Sequence, residues 1–232
     1  LPLHEGWTLT PTAGPVPDHI QGRVVPATVP GSAHTDLLAA GLIEDPFLGR
    51  NETDLGWAHR THWRFATRFV TAPPADDERV DLTFDGLDTV AAVTLDGTEL
   101  GRTANQHRSY RFDVRTLLAA GGEHELTVDF SPALEHAEQV EARLGFRPRP
   151  YPHPFNAVRK MACSFGWDWG PDFQTAGIWK PVRLERWRTA RLASVRPLVT
   201  VADDGSGRVE LHADLERAGL GDDDVALHLQ VE

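Results

Sequence analysis

A single cysteine, Cys163, stands among 232 residues. The chain can therefore form no internal disulfide and no zinc site built on several thiolates. A lone thiol of this kind is expected to be a small buried apolar residue, not a reactive group. Apolar runs of about 18 residues, the length a membrane-spanning helix needs, are missing. Basic residues are in deficit, with 23 Lys and Arg against 34 Asp and Glu and a formal charge of −11. Nucleic-acid phosphates select for basic patches, so nucleic acid is excluded as a partner. The first residues, "LPLHEGWTLT", lack the basic and apolar segments of a secretory signal, and the expected location is the cytoplasm.

Several chemical signatures are also absent. No clustered glycines form a phosphate loop or dinucleotide fingerprint. No G-x-S-x-G elbow and no H-E-x-x-H is present. Eleven histidines invite a metal search, but His59 and His62 are three apart where His62 enters a strand pattern, and such residues point to opposite faces. No metal site and no cofactor is expected.

What the chain does have is strand pattern. "THWRFATRFV" (61–70) sets Trp63, Phe65 and Thr67 against Arg64 and Arg68, and "RVDLTFDGL" (79–87) sets Val80, Leu82 and Phe84 against Asp81, Thr83 and Asp85. "VAAVTLDGTEL" (90–100) carries the hairpin signal Asp96-Gly97. "HELTVDF" (124–130) and "IWKPVRLERW" (178–187) extend the series. Short strands separated by Pro and Gly indicate an all-β antiparallel sandwich. Two helices interrupt it. Ser32 caps 33–41, which Gly41 stops, and Pro132 and Gly145 bracket 131–145, where Leu134, Ala137, Val140 and Leu144 recur at helical spacing.

"FRPRPYPHPF" (146–155), with four prolines, reads as a long surface loop ordered by Tyr151 and Phe155. After Trp187 the pattern gives three short strands, 194–201, 207–215 and 225–232, with "ADDGSG" as a turn. A sandwich of this type needs about seven strands, so the chain is expected to stop inside a second domain.

Candidate chemistry concentrates in "CSFGWDWGPDF" (163–173). Seven Trp and ten Phe against two Tyr favour rigid packing and carbohydrate-facing surfaces. Two tryptophans close together are usually core, but Gly166, Gly170 and Pro171 prevent regular structure here. Asp168 between two indoles needs a partner: a backbone N–H, a cation or a ligand hydroxyl. Residue types leave open a core role, a ligand site, and a salt bridge to Arg159 or Lys160. The acidic runs 76–78 and 222–224 read as solvated surface. Glu52, after Asn51 in a polar loop, reads as structural despite the catalytic flavour of an Asn-Glu pair.

The segments "ATVPGSAHTDLLAAGLIEDPFLGRNE" (27–52), "FDGLDTVAAVTLDG" (84–97), "RKMACSFGWDWGP" (159–171) and "TAGIWKPVRLE" (175–185) occur together and in order. On them the chain resembles the N-terminal part of β-mannosidases of glycoside hydrolase family two, over most of residues 1 to 187. The resemblance implies a galactose-binding-like jelly roll over 1–187 and the start of an immunoglobulin-like sandwich over 188–232. A catalytic TIM barrel would lie outside this chain. Retaining hydrolysis by two barrel glutamates leaves no catalytic residue here, and Glu52 corresponds to a non-catalytic Asn-Glu.

The resemblance also implies that Asp168 binds the terminal sugar in the −1 subsite, supported by Trp167 and Trp169. Asn105 would approach the same site, although Gln106 and His107 stand where the family usually has Met-Phe. A second departure, Asp96 in place of the usual Asn, suits the same turn. The implied partners are a β-mannoside or oligosaccharide and the barrel of the same protein. The implied activity is exo-β-mannosidase for the longer protein and none for this piece, whose Asp168 should be unpaired. A free-standing carbohydrate-binding module is the alternative.

Overall fold

The computed structural model describes residues 1–219, 225–228 and 230. Eleven strands occur among them: β1 (Thr8–Ala13), β2 (Val25–Pro26), β3 (His62–Thr71), β4 (Arg79–Phe84), β5 (Val90–Leu95), β6 (Thr98–Ala104), β7 (Tyr110–Asp113), β8 (Gly122–Ser131), β9 (Val182–Trp187), β10 (Ala190–Val201) and β11 (Gly207–Arg217). Every pairing is antiparallel. A six-stranded sheet has the order β2-β1-β3-β8-β5-β6, and a three-stranded sheet has the order β7-β4-β9. Their inner faces share one core, in which Trp63, Phe65, Val128 and Phe130 meet Leu82, Phe84, Val182 and Leu184. The β-sandwich expected from the alternation is therefore present.

The alternation works because one face of most strands is wet. In β3, Trp63, Phe65, Thr67 and Phe69 are buried, while Arg64 pairs with Asp129 at 2.7 Å and Arg68 reaches Glu123 and Glu125 across the outer surface. Asp96 and Gly97 both have positive φ, 48° and 76°, as the turn between β5 and β6 requires. Asp96 is also held by its neighbour strand, accepting from Glu125 N at 2.8 Å and contacting His124 Nδ1 at 2.7 Å.

Two strand expectations need correction. Asp81 and Thr83 of β4 were expected to face water with Asp85, yet both are buried. Asp81 is covered by Trp187, whose Nε1 donates to Asp81 Oδ2 at 2.7 Å, and by Arg111, which bridges Asp81 to Glu216 of a third sheet, the long β10–β11 hairpin; Arg79 Nε also donates to Ala218 O at 2.9 Å. The strand expected from 178 begins only at Val182, because Pro181 has no N–H to offer a ladder. In the C-terminal part, the two strands expected at 194–201 and 207–215 are longer and form one hairpin around the "ADDGSG" turn. Residues 225–228 of the third expected strand have no regular structure, and Gln230 is likewise irregular. The remainder of that segment lies outside the described residues.

Helix α1 (Ala33–Ala39) carries the expected cap. Ser32 Oγ accepts from Thr35 N at 3.4 Å, and Thr35 Oγ1 accepts from Ser32 N at 3.1 Å. A short helix α2 (Asn51–Asp54) and a 3-10 turn over Gly56–Arg60 occupy what the sequence presents as polar loop. Helix α3 (Ala133–Leu144) buries Leu134 and Ala137, while Leu144 is exposed. In the Pro-rich segment Arg149 pairs with Glu141 of α3 and donates to Pro152 O, and Tyr151 packs on Trp167.

Candidate functional site

The segment Ser164–Phe173 folds into a tight hairpin without regular strands. Phe165 and Asp172 form an antiparallel bridge, and Phe173 N donates to Ser164 O at 3.0 Å. Above that bridge, Trp167 N donates to Gly170 O at 3.0 Å and Gly170 N returns a bond to Trp167 O at 3.4 Å. Gly166 opens the reversal at φ +90°, a conformation that side chains resist. Phe165 is fully buried and fixes the base, whereas Trp167 is 39% and Trp169 82% exposed. The tip is thus outside the core, which removes the core reading of these tryptophans.

At the tip the rings form a ladder. Tyr151 from the Pro-rich loop packs on Trp167 at 5.4 Å, and Trp167 meets Trp169 edge-on at 5.4 Å. Asp168 is exposed beside them. Among the described residues its carboxylate makes no hydrogen bond or ion pair. The salt bridge considered for Lys160 goes elsewhere. Lys160 Nζ is buried 2.5 and 2.6 Å from the two oxygens of Asp88 and donates to Thr175 O at 3.0 Å. Thr175 Oγ1 donates to Asp88 Oδ2 at 2.6 Å, and Thr89 Oγ1 donates to Asp88 Oδ1. Three of the segments that carry the family resemblance therefore converge on one buried ion pair.

The return limb of the hairpin has its own seat. Glu52 Oε1, on α2, accepts from Asp172 N at 2.5 Å. Asp172 Oδ2 lies 2.6 Å from His153 Nε2, and Gln174 Nε2 donates to Asp172 Oδ1. The next ring, Phe173, rests 4.1 Å from His34 of α1 and 6.2 Å from His59. A cavity of about 330 Å³ runs beneath, lined by Glu52, His59, Arg60, His153 and Asp172 among others. Burial holds His34 down to about 3, helped by the charges of His59 and Lys160. His59 is also pushed down by burial, against the pull of Asp172 and Glu52. Both shifts favour the neutral imidazole. His62, three residues on, points instead to Glu135, 3.9 Å away.

Asn105 occupies a different loop. Its Oδ1 accepts from His107 N at 2.9 Å, and its backbone exchanges bonds with the Tyr110 hydroxyl at 3.0 and 2.9 Å. No hydrogen bond, ion pair or ring contact joins Asn105 to Asp168 among the described residues. Their connection is indirect: Gln106 N donates to Arg159 O at 2.8 Å and Gln106 Oε1 accepts from Met161 N at 2.9 Å. Gln106, a departure from the family pattern, is thus a buried tie to the segment leading into the hairpin. A cleft of about 530 Å³ beside this loop is lined by His107, His136, Arg147 and Arg159. Cys163 is exposed, contrary to expectation, because the 3-10 turn over Ala162–Ser164 turns Ser164 and Phe165 inward and leaves 161–163 outside.

Comparison with known proteins adds to this geometry. Residues 7–180 match the family model described as "Glycosyl hydrolase 2 galactose-binding domain-like". β-Mannosidase B of Emericella nidulans is 36% identical, covering 94% of this chain and 26% of its own length. β-Mannosidase of Mus musculus is also 36% identical, over 72% of this chain and 20% of its own length. The crystal structure of β-D-mannosidase from Dictyoglomus thermophilum superposes with a TM-score of 0.80 at 32% identity, covering 94% of this chain and 26% of that one. An exo-chitosanase from Amycolatopsis orientalis, at TM-score 0.66 and 18% identity, shares the fold. The chain spans about a quarter of the length of the curated relatives it matches.

Proposed function

The chain belongs to the glycosyl hydrolase 2 galactose-binding domain-like family, and from that premise we propose that it is the non-catalytic N-terminal portion of a retaining exo-β-mannosidase whose Trp167–Asp168–Trp169 tip binds the terminal mannose in the −1 subsite. The observation that carries the reading is the state of Asp168. It is an exposed carboxylate without a partner among the described residues, set between two indoles on a hairpin whose base is fixed on both limbs. A carboxylate accepts hydrogen bonds from sugar hydroxyls in pairs, and indole faces suit the C–H faces of pyranose rings. Two of the relatives named as β-mannosidases, those of Emericella nidulans and Dictyoglomus thermophilum, cover 94% of this chain at more than 30% identity.

In this reading the hydrolytic step belongs to two glutamates of the barrel that the resemblance implies, which retaining chemistry needs about 5–5.5 Å apart. The contribution of this region is differential binding at the reacting sugar. Asn105, held in its own turn, is a second and more distant contributor. The residues after Trp187 begin the neighbouring immunoglobulin-like domain.

The test is Asp168→Ala in the full-length protein. Losing a charge-assisted hydrogen bond to a sugar hydroxyl costs roughly 2–3 kcal/mol, or about 30- to 150-fold in kcat/KM for an aryl β-mannoside. Unchanged kinetics would remove Asp168 from the subsite. The alternative, a free-standing carbohydrate module, requires this chain by itself to bind mannose or manno-oligosaccharides in titration calorimetry. Binding only in the presence of the remaining protein sinks that alternative.

A further inference from the structure

We infer that Glu52, acting through Asp172 and assisted by His153, is a positioning residue that fixes where the Asp168 carboxylate stands, an inference that rests on the substrate role proposed above. Asp172 is four residues beyond Asp168 and forms the base of the return limb. Its backbone N–H is directed outward from the Phe165 bridge and meets Glu52 Oε1 at 2.5 Å. Its side chain is claimed on both oxygens, by His153 at 2.6 Å and by Gln174. Every polar group of Asp172 that faces the seat is therefore used to pin the limb.

Both limbs are anchored. The outgoing limb is held by burial of Phe165 and by backbone bonds from Ser164 N to Met161 O and from Phe165 N to Ala162 O. The return limb adds hydrogen bonds to charged groups of other elements, which are short and directional. Among the described residues the tip between them has only its own Trp167–Gly170 bonds and the ring contacts of Tyr151. The charge-assisted restraint on the tip therefore lies on the return side. Glu52 brings this restraint from a separate element. Helix α2 is itself fastened by Asn51 Nδ2 donating to Asp45 O at 2.8 Å and by buried Leu55 at its end.

Glu52 lines the same cavity as Arg60, His59 and His153, and its Oε1 serves the backbone N–H of Asp172. A purely structural role would spread the loss of Glu52 over stability and leave the tip's work on substrate intact. The positioning role instead predicts a loss that disappears when Asp168 is already gone.

The experiment is a double-mutant cycle in the full-length protein, with Glu52→Leu, Glu52→Gln, Asp168→Ala and the Glu52→Leu/Asp168→Ala pair. Glu52→Leu should lower kcat/KM for an aryl β-mannoside by at least about tenfold, as small misplacements of a binding group do. Glu52→Gln keeps an acceptor oxygen and should recover to within about threefold of wild type, and the double variant should fall within about twofold of Asp168→Ala alone. Multiplied losses in the double variant, or wild-type kinetics for Glu52→Leu where Asp168→Ala is impaired, overturn the inference.

A second readout separates this from the substrate role. In this chain labelled with 5-fluorotryptophan, Glu52→Leu should shift the fluorine resonances of Trp167 and Trp169 and leave buried Trp7 and Trp63 in place. Unmoved tip resonances overturn the positioning role whatever Asp168→Ala does. Moved resonances with a silent Asp168→Ala uphold the anchoring and defeat the substrate reading instead.

Discussion

Lys160 and Asp88, 72 residues apart in sequence, share both carboxylate oxygens at 2.5 and 2.6 Å in a setting where neither side chain reaches water. Asp88 also exchanges backbone bonds with Gly177, at 2.9 Å in each direction. The pair thus joins the connection between β4 and β5, the entry to the tip hairpin and the exit from it. Burial pushes the Lys160 ammonium down, and Asp88 opposes that push.

Breaking this pair on one side should be far worse than removing it. Lys160→Met leaves a buried carboxylate without its cation and should cost about 3–5 kcal/mol in guanidinium unfolding. Lys160→Met/Asp88→Asn should recover part of that loss, because no buried charge remains. Equal destabilisation of the single and double variants would show that the pair acts through packing alone.

The pH dependence of stability should be the difference between two opposed groups. His34 has a folded pKa of about 3 against 6.5 in the unfolded chain. Below 6.5 only the unfolded state takes up its proton, so this contribution is complete above pH 6.5 and is lost as pH falls towards 3, at up to about 1.4 kcal/mol per unit. Asp36 runs the other way: burial raises its carboxyl to about 6 from 3.8, despite the bond from Thr28 N at 2.9 Å. Its folded state holds the proton more tightly, so stability from this group falls as pH rises from 3.8 through 6. Urea midpoints between pH 4 and 7 should therefore fall less steeply towards acid in His34→Leu than in wild type. In Asp36→Asn they should fall more steeply. Identical slopes in all three proteins would refute both assignments.

How much of this was legible beforehand follows from the range of each interaction. The core faces of β3 and β8 and the Asp96-Gly97 turn are written in neighbouring residues, and each appears as the alternation and turn chemistry require. The tip was legible as a composition, two indoles around a carboxylate on a Gly/Pro loop, but that composition left a core role, a ligand site and a salt bridge open, and only the hairpin geometry puts the rings outside the core. The support of the tip was not legible, because Glu52 meets Asp172 across 120 residues and no local period marks either one. The burial of Asp81 was likewise hidden, since it depends on Trp187 and a hairpin, both more than 100 residues later, covering a face that alternation assigns to water. Cys163 was misread for the opposite reason: residue type favours burial, and a single 3-10 turn decided otherwise.

The Arg60–Glu138 pair docks α3 against the 3-10 turn below the hairpin through two bonds of 2.7 Å. Both side chains are about two-fifths exposed, 40% and 43%, so solvent screens most of the attraction. Glu138→Gln should cost no more than about 1 kcal/mol in thermal or urea unfolding, despite the bidentate geometry. A larger loss would mean that α3 needs this contact to pack at all.

Trp169 offers the sharpest separation of fold from function. It is 82% exposed, so truncating it uncovers little and creates no cavity. Surface changes of this kind stay within about 0.5 kcal/mol of wild type. Trp167 differs, since it lies between Tyr151 and Trp169 and more than half of it is already covered. If the tip meets a sugar, the exposed ring loses most of its water on binding, and stacking contacts of aromatic rings contribute about 0.5–1.5 kcal/mol beyond area. Trp169→Ala in the full-length protein should then raise KM for a β-mannoside roughly three- to tenfold at unchanged unfolding midpoint, and Trp169→Phe should recover part of the loss. A drop in stability without a change in KM would reverse the assignment. It would make Trp169 a packing residue for a neighbouring part of the protein and leave Asp168 to meet the substrate alone.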